Sequence, residues 1–298
     1  MDFCYYYKTL NGMMQSEKQK CLLKNIYNFG KYTCINNQVN TVCNLKYLPQ
    51  YKTIFEDFNL SYKSGDGDTL SNSLKIMQWI TDNTRYCGES KLPPSTSDKI
   101  IDYSFNKGFD NSINCANKSI LLSDALLSVG INAMPVWITN NIIDPKSGYF
   151  LHGWCHVVTH VFYTEIKKWI VLDPSFNAFF TEKDIPLNII DMRDLNREKR
   201  KIKIQQYDFN GTQLFIKDYL KFILSGILDI SIFPGNDYEY RYDFNCQYHL
   251  LPELFFDCLN QIINEVPLSD EYKEHLIWYS NCKKMSVDEF LMPPSFPL

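Results

Sequence analysis

The chain of 298 residues holds ten cysteines but no Cys-x-x-C pair, which removes zinc ribbons and thioredoxin-type redox motifs from consideration. It has no surplus of positive charge. The net charge is −4 and the pI is near 5.8, so the basic footprint that marks nucleic-acid binding is absent. It also lacks an apolar run of about 18 residues, the length that reads as a membrane span. The nearest approach, Phe222 to Phe233, is interrupted by Asp229. The first eight residues show neither a basic n-region nor an apolar h-region, so no signal peptide and no membrane partner are expected. That implies a cytoplasmic location with mostly reduced thiols. Cys4, Cys21, Cys34 and Cys43 then read as scattered buried thiols. No internal repeat or low-complexity tract stands out.

What is present points to a globular protein. Hydrophobic residues make up 45 % of the chain and aromatic residues 15 %, too many for a disordered polymer. Composition and turn signals divide the chain into three parts. Residues 1–65 read as an N-terminal extension, residues 66–186 as the core, and residues 187–298 as a mainly helical C-terminal extension packed on it. The Gly-Asp cluster at 64–68 marks the first boundary. Thr69 or Ser71 is expected to cap a helix through Trp79 and Ile80. Segments 214–230, 254–263 and 271–279 are expected to be helical.

The most informative stretch starts at Cys115. Leu122, Ala125, Leu126 and Val129 fall at helical spacing and predict one buried face. Gly130 follows as a left-handed C-terminal cap. Asn111, Ser112 and Asn114 are all able to cap the N-terminus, and each choice places Cys115 in or beside the first turn. Backbone N–H groups there lack intrahelical partners, and a thiol in that setting is a better nucleophile. On its own, however, a cysteine on a helix is most often a small core residue.

The downstream sequence changes that weighting. Met134 to Thr139, Trp154 to Phe162 and Trp169 to Leu172 read as strands of an antiparallel meander, so the class is α+β. Taking the last two as a hairpin, the predicted register pairs Val158 with Val171, His160 with Trp169, and His156 with Asp173. Directly opposed Cβ atoms lie ~4.5–5.5 Å apart, close enough for an imidazole to meet a carboxylate. Using His152 would put the turn at Phe162-Tyr163, which has no turn chemistry. Using His160 would push Trp169 into the turn. A shared metal site for His152, His156 and His160 is not expected, because strand residues four apart stand ~13 Å from one another. A thiol, an imidazole and a carboxylate suffice for acyl transfer. The Cys115 backbone N–H would serve as one oxyanion donor, with Trp79, Tyr86 or a nearby amide as the second.

In these residues the chain resembles the transglutaminase-like superfamily, whose core is papain-like. The resemblance lies in Cys115 opening a helix, Gly130-Ile131-Asn132-Ala133, His156 on a strand, and Trp169-Ile170-Val171-Leu172-Asp173-Pro174. It covers roughly residues 70 to 185. Met134 stands where family members often carry Arg, and His156-Val157-Val158-Thr159-His160 replaces the frequent His-Ala-Trp-x-Glu. The resemblance implies a Cys115–His156–Asp173 triad that forms an acyl-enzyme thioester. Animal-type members use calcium; this chain has no Asp-rich loop for it, and no cofactor is expected. The expected activity is amide formation, with an acyl group passing from a donor such as an acyl carrier protein to a small amine in natural-product biosynthesis. The basic run Arg197 to Lys203 would dock the carrier. Hydrolysis of peptide or amide bonds is the alternative, and a binding protein on an inactive fold is a second one.

Overall fold

A computed structural model describes residues 48–60, 67–93, 95–139, 142–143, 150–151, 155–206, 216–225, 229–232, 248–250 and 283–292. The predicted helices at 254–263 and 271–279, His152, Trp154 and the four N-terminal cysteines lie outside the described residues.

In the described chain three helices precede one central helix, and the strands follow it. Helices α1 (Leu48–Phe55), α2 (Thr69–Asn83) and α3 (Ser97–Ser104) precede α4 (Cys115–Ser128). Then come β1 (Ala133–Thr139), β2 (Ile142–Ile143), β3 (Phe150–Leu151), β4 (Cys155–Tyr163), β5 (Lys168–Asp173), β6 (Ala178–Glu182) and β7 (Ile185–Pro186). The remainder comprises α5 (Ile189–Arg197), β8 (Lys203–Gln205), α6 (Ile216–Ser225), β9 (Asp229–Ile232), β10 (Tyr248–Leu250), β11 (Lys283–Lys284) and α7 (Val287–Phe290). The class is α+β, with the Cys-bearing helix packed on a mainly antiparallel sheet.

Among the described residues nine strands form the main sheet, in the order β11-β10-β9-β1-β4-β5-β6-β7 with β8 beside β6. The β1–β4–β5–β6 meander is antiparallel throughout. Segment 187–298, expected to be mainly helical, contributes helices α5, α6 and α7 and four short strands among its described residues. One of them, β9, pairs with β1 through Trp137↔Ser231 and Ile138↔Ile230. Ile230, expected in a helix, lies in β9 because α6 ends at Ser225.

The α4 helix differs from the expected one-sided pattern. Every residue from Ala116 to Leu127 is buried. The helix runs between the sheet and helices α1, α2 and α3, so all its faces meet protein. Several of its polar residues are accommodated by hydrogen bonds. Asp124 accepts from Ser97 at 2.6 Å, and the Ser119 hydroxyl donates to the Val157 carbonyl at 2.8 Å. The helix ends as predicted at Gly130, with φ of 86°. The Ile131 N–H reaches the Leu126 carbonyl and the Gly130 N–H reaches that of Leu127, the paired bonds of a Schellman cap.

Two apolar layers result. One face of the meander, with Val161, Ile170 and Leu172, packs on α4 and α2. The other, with Met134, Val136, Ile138, Val158, Trp169 and Val171, packs on Phe176, Phe180, Tyr219 and Phe290.

Candidate active site

Asn114 is the residue that caps α4. Its side chain accepts from the Asn117 N–H at 3.0 Å, and the Asn117 side chain accepts from the Asn114 N–H at 3.3 Å. This reciprocal box satisfies the third helical N–H and makes Cys115 the first residue of the helix. The cap leaves the Cys115 and Ala116 N–H groups without partners inside the helix. The Cys115 side chain packs with Ala116, Trp137 and Val157. The bond from Ser119 to Val157 therefore ties the helix, one turn beyond Cys115, to the residue next to His156.

His156 is 1 % exposed and Asp173 is 0 % exposed. His156 Nε2 lies 2.7 Å from Asp173 Oδ2, and the imidazole is also hydrogen-bonded to the Cys115 side chain. With Nε2 on the carboxylate, Nδ1 is the nitrogen left for the sulfur. The structure thus brings Cys115, His156 and Asp173 together, but by a different register. Thr159 pairs with Leu172, His160 with Val171 and Phe162 with Trp169, a shift of two residues from the expected pairing. The cause is a wider turn: Thr164–Ile166 forms a 3-10 turn and Lys167 adopts a left-handed φ of 52°. An even shift keeps each side chain on its predicted face, so His156 reaches Asp173 diagonally.

Burial alone would lower the basicity of His156. The charge of Asp173, the hydrogen bond to it, and then the hydrogen bond and charge of Cys115 outweigh that, and its pKa is pushed up to about 10. Asp173 is itself held by three groups. Oδ2 accepts from the Tyr219 hydroxyl at 2.8 Å as well as facing His156, and Oδ1 accepts from the Ser175 N–H at 2.9 Å. Phe176 lies against this cluster, 5.8 Å from the His156 ring and 4.3 Å from that of Tyr219.

The two proposed oxyanion side chains part company. Tyr86 stands at the site. It bridges to Ile113, its ring is 5.7 Å from Phe176, and burial, then the charges of Cys115, Asp173 and Cys87, hold its hydroxyl protonated well above the usual tyrosine range. Trp79 does not stand there. Its ring packs 5.2 Å from Phe58 and 5.2 Å from Phe105, within the apolar cluster of α1, α2 and α4. The expected cap of α2 is also displaced: Asp68, not Thr69 or Ser71, accepts from the Ser71 N–H at 2.7 Å.

Three residues at the site left little trace in the sequence. Tyr219 arrives from α6, 46 residues beyond Asp173, with no local pattern to announce it. Phe176 follows the Asp-Pro turn and reads as ordinary packing. Lys118, three residues after Cys115, is 1 % exposed; a lysine within an apolar helix was the one available signal. His160, the neighbouring histidine, is a core residue between Trp169 and Phe290, and neither of its ring nitrogens has a partner. No three His, Cys, Asp or Glu side chains gather to hold a metal ion among the described residues. No helix among them is long and apolar enough to cross a membrane.

No family model and no curated protein matches the chain. Among solved structures it is similar to a candidate cysteine protease from Cytophaga hutchinsonii, at 16 % identity and a TM-score of 0.29, over 46 % of this chain and 39 % of that one. It is also similar to a TGase, at 14 % identity and a TM-score of 0.28, over 54 % of this chain and 48 % of the other. The chain therefore spans less than half the length of either structure. Likeness at this level carries no argument about the chain, whose chemistry has to come from its own residues.

Proposed function

We propose that the protein is a cysteine-dependent acyltransferase of the transglutaminase-like superfamily, which forms an amide through a thioester on Cys115. The observation that carries this reading is one buried imidazole, that of His156, hydrogen-bonded to both Cys115 and Asp173. In the proposed cycle His156 takes the thiol proton and the sulfur attacks the donor carbonyl. The Cys115 N–H and the Tyr86 hydroxyl face the developing oxyanion. The imidazolium returns the proton to the leaving group, and the acyl group stays on sulfur. An amine then attacks the thioester, His156 takes its proton, and the sulfur leaves. Asp173 holds the imidazole in orientation and stabilises its charged form.

The acceptor decides between transfer and hydrolysis. Phe176 and Tyr219 are buried against His156 and Asp173, which favours an acceptor other than bulk water. In the basic run, Arg200 pairs with Glu182 and Glu198, Arg197 with Asp194, and Lys203 with Asp184. Lys199 and Lys201 remain exposed, without an ion pair among the described residues, to meet an acidic carrier protein. A cytoplasmic role in natural-product assembly fits such a donor. The test is to incubate the protein with acyl thioesters and a panel of amines and to read product masses. New amides support transfer. Free acid as the only product would make the protein a hydrolase. A Cys115 no more reactive to iodoacetamide than Cys87 or Cys155 would make it a binding protein.

A further inference from the structure

Among the described residues three helices open on a reciprocal capping box, and the box of α4 differs from the other two in its chemistry. α5 opens with Asn188 and Asp191, α7 with Ser286 and Glu289, and α4 with Asn114 and Asn117. In each box the side chain of the third helical residue accepts from the N–H of the capping residue. An acceptor is all that this task needs, and a carboxylate at a helix start is favoured by the dipole as well. α4 forgoes that stabilisation. It carries a neutral amide, which has what a carboxylate lacks, an NH₂ group able to donate.

That donor is engaged. Asn117 is 0 % exposed. Its Oδ1 accepts from the Asn114 N–H, and its Nδ2 donates to the Pro93 carbonyl at 2.9 Å. The loop leading to Pro93 is fastened to the start of α4 at three further points. The Ile113 N–H donates to the Arg85 carbonyl at 2.9 Å, the Cys87 N–H to the Ile113 carbonyl at 3.0 Å, and the Ser90 hydroxyl to the Ser112 carbonyl at 2.8 Å. The Tyr86 hydroxyl rests on this loop, because a Cβ added at Gly88 would stand 3.4 Å from it. Gly88 in turn lies in a turn closed by the Ser90 N–H on the Cys87 carbonyl at 3.1 Å. A shift of residues 87–93 would therefore carry the hydroxyl with it.

We propose that Asn117 is a positioning residue for acyl transfer: its amide clamps the loop that carries Tyr86 to the cap that presents the Cys115 N–H, and so fixes the two oxyanion donors relative to each other. This deepens the reading of Cys115 as nucleophile and Tyr86 as oxyanion donor, and rests on it. Such donors act only when both are aimed in advance at the place the oxyanion will occupy. Asn117 does this through Tyr86 and not by contact with the reacting atoms.

The probes are p-nitrophenyl acetate and iodoacetamide. The first acylates the Cys115 thiolate through an oxyanion, with release of p-nitrophenolate. The second alkylates it with loss of iodide and forms no oxyanion. The ratio of the two rates at Cys115, followed by mass in a single turnover, reports the oxyanion donors and cancels changes in the thiol itself. It is measured at mildly alkaline pH on the full-length protein, Tyr86→Phe, Asn117→Ala, Asn117→Asp and the double variant Tyr86→Phe/Asn117→Ala. Asn117→Asp keeps the acceptor of the box, as Asp191 does in α5, but its ionised carboxyl cannot donate to Pro93, so it serves where Asn117→Ala does not fold. The ratio is expected to fall about tenfold in each single variant, below the cost of removing a strong oxyanion donor. In the double variant it should fall no further, because the two residues act as one unit. A ratio unchanged in Tyr86→Phe or in a folded Asn117 variant, or losses that multiply in the double variant, would overturn the positioning role while leaving Cys115 the nucleophile. Failure of both reagents to modify Cys115 would overturn the reading on which it rests.

Discussion

His156 and Asp173 meet at 2.7 Å although they are not directly opposed on their strands. Continuing the observed register by one step sets Val158 beside Asp173, and the imidazole crosses to the carboxylate along the diagonal. Diagonal neighbours have Cα atoms ~7–8 Å apart, within reach of a long or aromatic side chain. The pair therefore depends on both side chains keeping their orientation, and the Tyr219 and Ser175 bonds to Asp173 supply that restraint. Asp173→Asn keeps the size of the side chain but removes the charge that favours the imidazolium. Turnover should fall by roughly three to four orders of magnitude, as for the comparable change in serine proteases. Cys115→Ala should abolish thioester formation, which intact-mass detection of the acyl-enzyme will check.

Tyr219 offers a more sensitive probe of the same pair. Its hydroxyl shares Asp173 Oδ2 with His156 Nε2, drawing some of the carboxylate charge away from the ring. Tyr219→Phe should lower turnover by about tenfold through the lost bond. It should also move the alkaline limb of the pH–rate profile upward, because the freed carboxylate favours the imidazolium more strongly. An unchanged limb would reduce Tyr219 to packing.

That alkaline limb is itself expected near pH 10, where His156 loses its proton in the folded protein. Above it the leaving group has no acid. Alkylation of Cys115 needs no such acid and should persist past the limb. Measuring both against pH separates the two roles of the imidazole.

Stability should carry two opposed slopes. His156 binds its proton up to about 10 against an ordinary 6.5, so its contribution is complete below 6.5 and is lost as the pH rises toward 10. Lys118 loses its proton near 7 against an ordinary 10.5, so folding is increasingly favoured with pH across that window. Lys118→Met removes the second slope. Urea midpoints of this variant should fall more steeply from pH 7 to 10 than those of the parent protein.

His160 predicts acid behaviour. It is buried with no partner for either nitrogen, and burial holds its pKa down to about 3. Between pH 6.5 and 3 the unfolded chain binds a proton that the folded one refuses, so stability is lost as the pH is lowered through that range. His160→Leu should abolish this part of the loss. Its advantage over the parent should grow below pH 6.5 by up to ~1.4 kcal/mol per pH unit, measured by denaturant titration at pH 5 and 6.

These histidines also show what was legible in the sequence. Alternation alone placed His156 on the Asp173 face and gave the strands, because a period of two survives any even error in register. The error came from the turn. Lys167 takes a left-handed conformation that nothing about a lysine advertises, and the hairpin gained two residues. The helix at Cys115 and its Gly130 terminus followed from local chemistry and were found, while the cap, Asn114, was one of three candidates left open. Its burial on every side was not, since that depends on helices α1 to α3 closing over it. Trp79 was misplaced for a related reason: an indole near a candidate site is equally an apolar body, and Phe58 and Phe105 claim it. Tyr219 and the β9 pairing lie far along the chain, where periodicity says nothing about which distant segment returns.

The pairing of β9 with β1 has a practical corollary. A shortened version stopped at Gln206 would retain the sulfur, the ring and the acid, yet would strip the backbone at Trp137 and Ile138 of its neighbour. Such a bare seam recruits other molecules. Dissecting this protein down to the familiar-looking stretch should therefore yield aggregates rather than a smaller enzyme.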